Sequence, residues 1–560
     1  MKSLYKTSIL EIGLLIAIAI GIVLRIVNLD SREFWYDEVL SLLLSTGQKK
    51  LYSPPTDVSV TLADYKFLFS LPVEQSFSDV LATLENLLKG LAAEPHPPLF
   101  YLGQHFWLRL WGNSVAAMRS LPVLYSIGAI FASFGLGGKL LGYRGGLLLA
   151  AALSLNPFFW FHSLNVRMYC SLVFWVVVSG WATVELIALH RDSKIHRQML
   201  KQNILWSIVL FCSVIGGFLT FYYFGFWLAS LGILVISRDL LRSNSYRAFF
   251  QSRQWLQQSL IIFAGFCFTI PWLWWGTRQQ FRNADLGRFK TGSNILVTVW
   301  KHLEGILTAL ASNLAIGDWI SISPPWVIYL SGAIAFLILS LAIGYLWRSN
   351  NIELLLTTFC LSLLPLLLIV AVDVLTGKFT VGFGFGRSLI LIVPGCLLLV
   401  VSAIVKLKPK WQTIAATALL AIYLITTVGD IALRERGMFA AVANIVEKTS
   451  NVPTLVVLNT KAWGHVLRLA YYLPEDPSIE LLAQPAAKLP SALNKAIDLK
   501  PYQQLIVLDS DRPVWGRKTT SEEESQIEQV ILSQYQLRLS QKLVGTWELD
   551  NFELNVYARK

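Results

Sequence analysis

Long apolar runs recur through this chain, from Ser8–Val27 to about residue 427, with only short polar stretches between most of them. A bilayer core is crossed by about 20 apolar residues of helix, and run after run meets that length. Further candidates are 98–111, 120–137, 145–161, 168–189, 203–219, 221–237, 257–276, 326–347, 352–374, 388–405 and 411–427. Charged residues make up 15% of the chain, against roughly a quarter in soluble domains, and no soluble core explains such repetition. Residues 1–430 read as an all-α polytopic membrane domain. The first run follows Lys2 and Lys6, lacks a small-x-small cleavage site and has Arg25 at its far end. It is therefore expected to be an uncleaved first span with the N-terminus in the cytoplasm.

The formal charge of +12 does not point to nucleic acid, because no contiguous basic domain carries it. Lys and Arg concentrate instead in short loops such as Lys139/Arg144, Arg348 and Lys406/Lys408/Lys410, which the positive-inside rule makes cytoplasmic. The alternation closes only if one early segment fails to cross. The segment 98–111 is short and carries Arg109, so about 11–13 transmembrane helices are expected. This parity sends four regions to the extracytoplasmic face: the first loop (28–95), Asn156–Tyr169, a later loop (277–325) and everything after about 428. Surface helices are expected near Asp37–Leu44 and Phe77–Leu91. Residues 431–560 change character: Thr454–Asn459 and Gln504–Asp509 read as buried strands, Glu522–Tyr535 as a helix, and Leu537–Leu543 with Phe552–Ala558 as a closing strand pair. This is a small α/β domain without a Gly-rich phosphate loop, which argues against a nucleotide role. All five cysteines fall in apolar segments and read as small hydrophobes.

Four constellations stand out. Phe34-Trp-Tyr-Asp-Glu-Val-Leu-Ser41 sets Asp37 and Glu38 side by side after the first span; the pair suits a general base or metal ligand, or the acidic first turn of a helix. Glu94-Pro-His-Pro-Pro-Leu-Phe-Tyr101 holds His96 among prolines that fix an extended backbone. Its imidazole suits a phosphate, a metal or a substrate hydroxyl, and an ordinary interfacial His is the alternative. In Asn156–Tyr169, Arg167 and Tyr169 sit where one span ends and the next begins; Arg167 offers a planar fork for phosphate or a snorkelling anchor. Gly382-Phe-Gly-Phe-Gly-Arg-Ser-Leu389 places Arg387 after glycines that permit close approach of a ligand, and plain anchoring competes there too. The cations Arg278, Arg282, Arg288 and Lys290, around Asn283 and Asp285, add a charged stretch that is either a gate for a lipid phosphate or a solvated loop.

Together these segments resemble the polyprenol-dependent membrane glycosyltransferases of the C-type fold, in particular the family 39 group of protein O-mannosyltransferases and lipid A aminoarabinose transferases. The matching pieces are Asp37-Glu38, His96-Pro97-Pro98-Leu99-x-Tyr101, Arg119-Ser-Leu-Pro122, Asn156-Pro157 with Arg167-x-Tyr169, and Arg387 followed by Pro394. Tyr222-Tyr223 lies where relatives often carry a Thr-His-Tyr-like element, but the His is missing. The resemblance covers roughly residues 5–430. It implies a sugar delivered on a polyprenyl phosphate, deprotonation of an acceptor hydroxyl by Asp37, and inversion at the anomeric carbon. The cation for the leaving phosphate would be Arg387 first, then Arg167, then His96. Tyr101 and Tyr169 would line the substrate, while Glu38 and Glu94 would position the acceptor. A divalent metal, if one is used, would draw on Asp37, Glu94 and His96.

Other readings are a lipid or glycan transporter or flippase, and a polyprenol-dependent glycan polymerase or ligase. Transporters favour mid-membrane charges and internal repeats, neither of which is evident here. Polymerases and ligases carry their main outer loop late, whereas the acidic and histidine motifs here lie in the first. The acceptor, whether lipid, glycan or protein, is left open. The simple layout suggests a bacterial plasma membrane.

Overall fold

The computed structural model describes residues 9–189, 197–243, 247, 249, 254–283, 286–290, 295–434, 436–448, 452–514, 516–545 and 548–560. Among them nine helices are long and apolar enough to cross a membrane. The bent pair Ile352–Cys360 and Leu363–Thr376, meeting at 47°, makes a tenth if counted as one span. The chain is a multi-pass membrane protein. Val115–Leu155 is one helix of 41 residues broken at Gly142, where φ is +78°, so the expected run 120–137 lies in its first limb, and 145–161 runs from its second limb into the helix Pro157–Ser163. Counting those limbs separately reaches the lower end of the expected range. Leu99–Trp111 forms a helix of 13 residues, too short to cross, as expected of 98–111.

By contacts the chain divides into two units. The first comprises residues 1–28, 91–100 and 119–432, and the second 29–90, 101–118 and 433–560. The first loop, assigned with the spans from sequence, therefore clusters with the C-terminal region. In the first unit, small residues bring helices close. A Cβ on Gly395 would fall 1.5 Å from the Leu361 carbonyl oxygen, and one on Gly332 2.1 Å from that of Leu307; small residues at such crossings are how membrane helices pack. The stretch 277–325, expected as a loop, is largely helical: Arg278–Asn283 and Ile295–Ala311 are helices. Lys301, His302 and Glu304 interrupt the apolar pattern of the second and disguised it. Two π-helical turns, Leu273–Thr277 and Ser312–Ile316, flank this region, and such turns often sit at functional sites.

The second unit is built on a six-stranded sheet in the order β1-β3-β2-β4-β6-β5. These are β1 (Val60–Thr61), β2 (Thr454–Leu458), β3 (Ile479–Ala483), β4 (Gln504–Ser510), β5 (Tyr535–Leu543) and β6 (Phe552–Arg559). β2 runs parallel to both β3 and β4, while β6 pairs antiparallel with β4 and β5. Helices Trp463–Tyr472 and Leu489–Leu499 make the crossovers. β2, β4, the closing pair and the helix Ser521–Gln534 match the sequence expectation. β1 and β3 do not appear in it: β1 has only two residues, and Glu480 interrupts the apolar run of β3. β1 comes from the first loop and pairs antiparallel with β3, Val60 facing Leu481.

A buried guanidinium ties this unit together. Arg468, 2% exposed, bonds Asp550 at 2.5 Å, His465 Nδ1 at 2.8 Å and the Phe34 carbonyl at 3.4 Å. Arginine only donates, so His465 Nδ1 accepts. Burial, with Arg468 beside it, pushes this imidazole well below its ordinary value of 6.5. Burial likewise lowers His105, which contacts Ser45 O and Arg109. Both histidines thus prefer to be neutral in the folded state and protonate more readily when unfolded. Their contribution to stability is present above about pH 6.5 and is lost as pH falls below it. The melting temperature of the second unit should therefore drop on acidification from pH 7.5 to 5.5, and H465Q should flatten that slope in a pH series of thermal melts. A slope equal to wild type would remove His465 from the explanation.

Candidate active site

In the second unit, Asp37 and Glu38 open the helix Tyr36–Ser45. The Trp35 N–H donates to Glu38 Oε2 at 3.1 Å, and Glu38 is fully buried. This is the returning half of a capping box, so Glu38 closes the helix start, as the helix-capping alternative has it. Asp37, half-buried in the same turn, does not make that bond. The motif is gripped by C-terminal helices. The Phe34 N–H donates to the Tyr472 hydroxyl at 2.7 Å, and the Glu33 carboxylate accepts from Phe439 N at 2.9 Å and from Ala440 N. Gly464 allows the close approach: a Cβ there would fall 2.6 Å from the Tyr36 ring. Tyr101 is fully buried in the same unit.

In the first unit, His96 and Arg167 come together. Arg167, 5% exposed, donates from its guanidinium to His96 Nε2 at 2.9 Å. Since arginine has no acceptor, His96 receives this bond on its unprotonated nitrogen. His96 is thus a neutral support for Arg167 rather than a third cation. The loop bearing His96 is fixed by Gln280, which the sequence reading passed over. Its amide donates to the Leu91 and His96 carbonyls at 3.0 and 2.8 Å, and its oxygen accepts from the Tyr222 hydroxyl at 2.6 Å. Tyr222 also bonds Thr277 Oγ1 and Trp272 Nε1, at 2.7 and 2.9 Å. Tyr222 therefore occupies the element without its histidine, and it acts through Gln280. Tyr169 packs its ring on His162 with centroids 4.6 Å apart. Glu94 lies on the same loop, its amide bonded to the Leu91 carbonyl at 2.9 Å.

Arg387 sits on a strained turn. Gly384, Phe385 and Gly386 all have positive φ, at 55°, 56° and 77°. Glycine accepts this conformation, but for phenylalanine it is costly and must be held by its surroundings. Ser312 Oγ donates to the Phe385 carbonyl at 2.7 Å, and Asn313 Nδ2 to that of Gly386 at 3.2 Å. Asn156 Nδ2 in turn donates to the Asn313 carbonyl at 3.0 Å. A Cβ on Gly384 would fall 2.5 Å from Arg387 Nε, so this glycine makes the space the guanidinium uses. Arg387 lies over the Phe383 ring, 5.2 Å from its centroid.

The expected cation cluster is less cohesive. Arg278 lies over Trp274 at 5.7 Å, and Arg278, Arg282, Asn283 and Lys290 are exposed. Asp285 and the Arg288 side chain lie outside the described residues. Among the described residues no three His, Cys, Asp or Glu side chains group as a metal site. His96 Nε2 already accepts from a guanidinium, which disfavours a cation there. His96 Nε2 is therefore not open to a metal ion.

No family model matches the chain, and no curated protein matches it in sequence. Solved structures do match. ArnT from Cupriavidus metallidurans in the apo state superposes with a TM-score of 0.51 at 10% identity, over 98% of this chain and 97% of that one. The same protein bound to undecaprenyl phosphate gives 0.39 at 11% identity, over 97% and 98%. The oligosaccharyltransferase AglB of Archaeoglobus fulgidus, with an inhibitory peptide and a dolichol-phosphate, gives 0.47 at 12% identity, over 100% and 75%. The fold assignment rests on the first: this chain has the C-type glycosyltransferase fold.

Gln280 supplies a direct test of the loop's support. Replacing it by leucine leaves the part-buried His96 carbonyl without the amide that binds it and the Leu91 carbonyl with its Glu94 amide bond alone, at a cost of about 1–3 kcal/mol. Q280L should melt well below wild type, with Y222F showing a smaller loss of the same sign. Equal melting temperatures would mean that Gln280 does not hold the loop.

Proposed function

We propose that this protein is a membrane glycosyltransferase moving a sugar from a polyprenyl-phosphate donor to an acceptor hydroxyl. The observation that carries the reading is the pair of arginines at span entrances, each on a loop fixed by side-chain bonds. Arg167 is backed by His96, and Arg387 lies on the Ser312- and Asn313-bound turn. A guanidinium offers a planar set of donors that matches a phosphate, and a lipid brings its phosphate to the membrane boundary where spans begin. A C-type transferase fold running the length of the chain supports the same reading. The ArnT structure with undecaprenyl phosphate is an example of such a lipid held by that protein.

The chemistry needs one base and one charge-stabilised leaving group. Asp37 takes the proton from the acceptor hydroxyl as its oxygen attacks the anomeric carbon. The bond from that carbon to the phosphate oxygen breaks, and the configuration inverts. The lipid phosphate leaves as an anion, stabilised by Arg387 and Arg167, so it requires no proton. Tyr101 and Tyr169 contribute ring surface, and Glu94 orients the acceptor. The reaction takes place on the extracytoplasmic face of the plasma membrane, with the N-terminus cytoplasmic and residues 431–560 outside.

Purified protein given radiolabelled polyprenyl-phosphate sugars and a crude membrane acceptor extract should transfer label. D37N should lower turnover by about 100-fold or more while keeping the wild-type melting temperature. R387K should also lose activity, because a point charge does not replace the guanidinium fork. Undiminished turnover in D37N would remove Asp37 as the base. Movement of the donor across vesicles without any transfer would overturn the enzyme reading.

A further inference from the structure

A second site lies wholly within the second unit, where a cleft opens at the carboxyl ends of β2, β3 and β4. The chain leaves β2, crosses to β3 on one side, then returns to β4 on the other. In open α/β sheets, ligands bind where the strand order reverses, outside the carboxyl ends of the strands. The segments following these strands line a cavity of about 410 Å³ there, within the range of small-molecule sites. Its walls include Tyr52 from the first loop, Thr460, Lys461 and Trp463 after β2, Pro485 after β3, and Arg517 after β4.

The lining chemistry is specific. The Tyr52 and Trp463 rings lie with centroids 5.9 Å apart and planes 50° from each other, giving an angled apolar wall. Tyr52 contributes its ring to the cleft rather than its hydroxyl, which is buried. Lys461 is in no salt bridge among the described residues, whereas Arg517 is already paired with Glu523 at 2.5 Å. A ring with one apolar face suits the aromatic wall, and an attached anion suits Lys461. We infer that this cleft binds a saccharide carrying a phosphate or carboxylate. Calling that saccharide part of the acceptor rests on the transferase reading; the binding itself does not.

Full-length protein in detergent, titrated with glucose 6-phosphate by calorimetry, should bind it saturably, and more tightly than glucose or inorganic phosphate. W463A and K461A should each weaken binding by about five-fold or more, while R387A binds as wild type. D37N should bind as wild type even where transfer is lost, which separates this site from the catalytic one. The inference is overturned if no probe binds, if phosphate alone binds as tightly, if both cleft variants bind as wild type, or if R387A abolishes binding.

Discussion

A peptide group inside a bilayer has only the protein itself to bond with, and that constraint is visible at several departures from regular helix in the first unit. At these breaks a polar side chain answers for the backbone. Gln280 takes the carbonyls of Leu91 and His96. Asn313 and Ser312 take those of Gly386 and Phe385. Asp373 accepts from the amides of Thr380 and Val381, at 2.6 and 3.2 Å. Asn156 caps the helix Pro157–Ser163 through the Phe159 amide at 2.9 Å, and its own amide reaches Asn313. The irregular segments are also those that carry Arg167, His96 and Arg387. A loop at membrane depth that must be bonded for stability is thereby fixed in shape, and a fixed loop can present a cation to a ligand without reorganisation.

The second unit solves a different problem. The first loop folds against the C-terminal region. β1 extends the C-terminal sheet, and the helix Tyr36–Ser45 packs on Gly464. The Arg468 cluster would be expensive to bury unpaired, but Asp550, His465 and two backbone carbonyls answer its donors. Two segments separated by several hundred residues are thus fixed to one centre, which accounts for the clustering of the first loop with residues 433–560.

Legibility in the sequence followed local pattern. The spans were readable because hydropathy is a run property, and β2 and β4 because buried strands of parallel sheets are continuous apolar runs. The helix Phe77–Leu91 falls at its expected bounds. The helix Ile295–Ala311 and β3 were hidden by the charges they carry, and β1 by its length. At the candidate site the charged members announced themselves, since a charge beside an apolar run is unusual. Their supports did not: Gln280, Ser312 and Asn313 are neutral, lie in no recognisable spacing, and matter only through partners far away in sequence. Tyr222 was flagged by position alone; its role follows from Gln280, which no local pattern marks.

The adjacent acids Asp37 and Glu38 show how one dipeptide divides two tasks. At the third helical position a side chain must reach back to the amide preceding the helix, and Glu has the extra methylene for it; Glu38 does so. Asp37, one position earlier, stays in the first turn without that duty. An acidic side chain there suits the dipole of the helix start. Tyr36 packs on Gly464 immediately before it, so backbone, cap and ring all restrain the same turn. The order Asp-Glu is therefore not interchangeable: with Glu first and Asp second, the cap would be too short to close. The longer acid, moved to the second helical position, would carry its carboxylate on a more flexible stem.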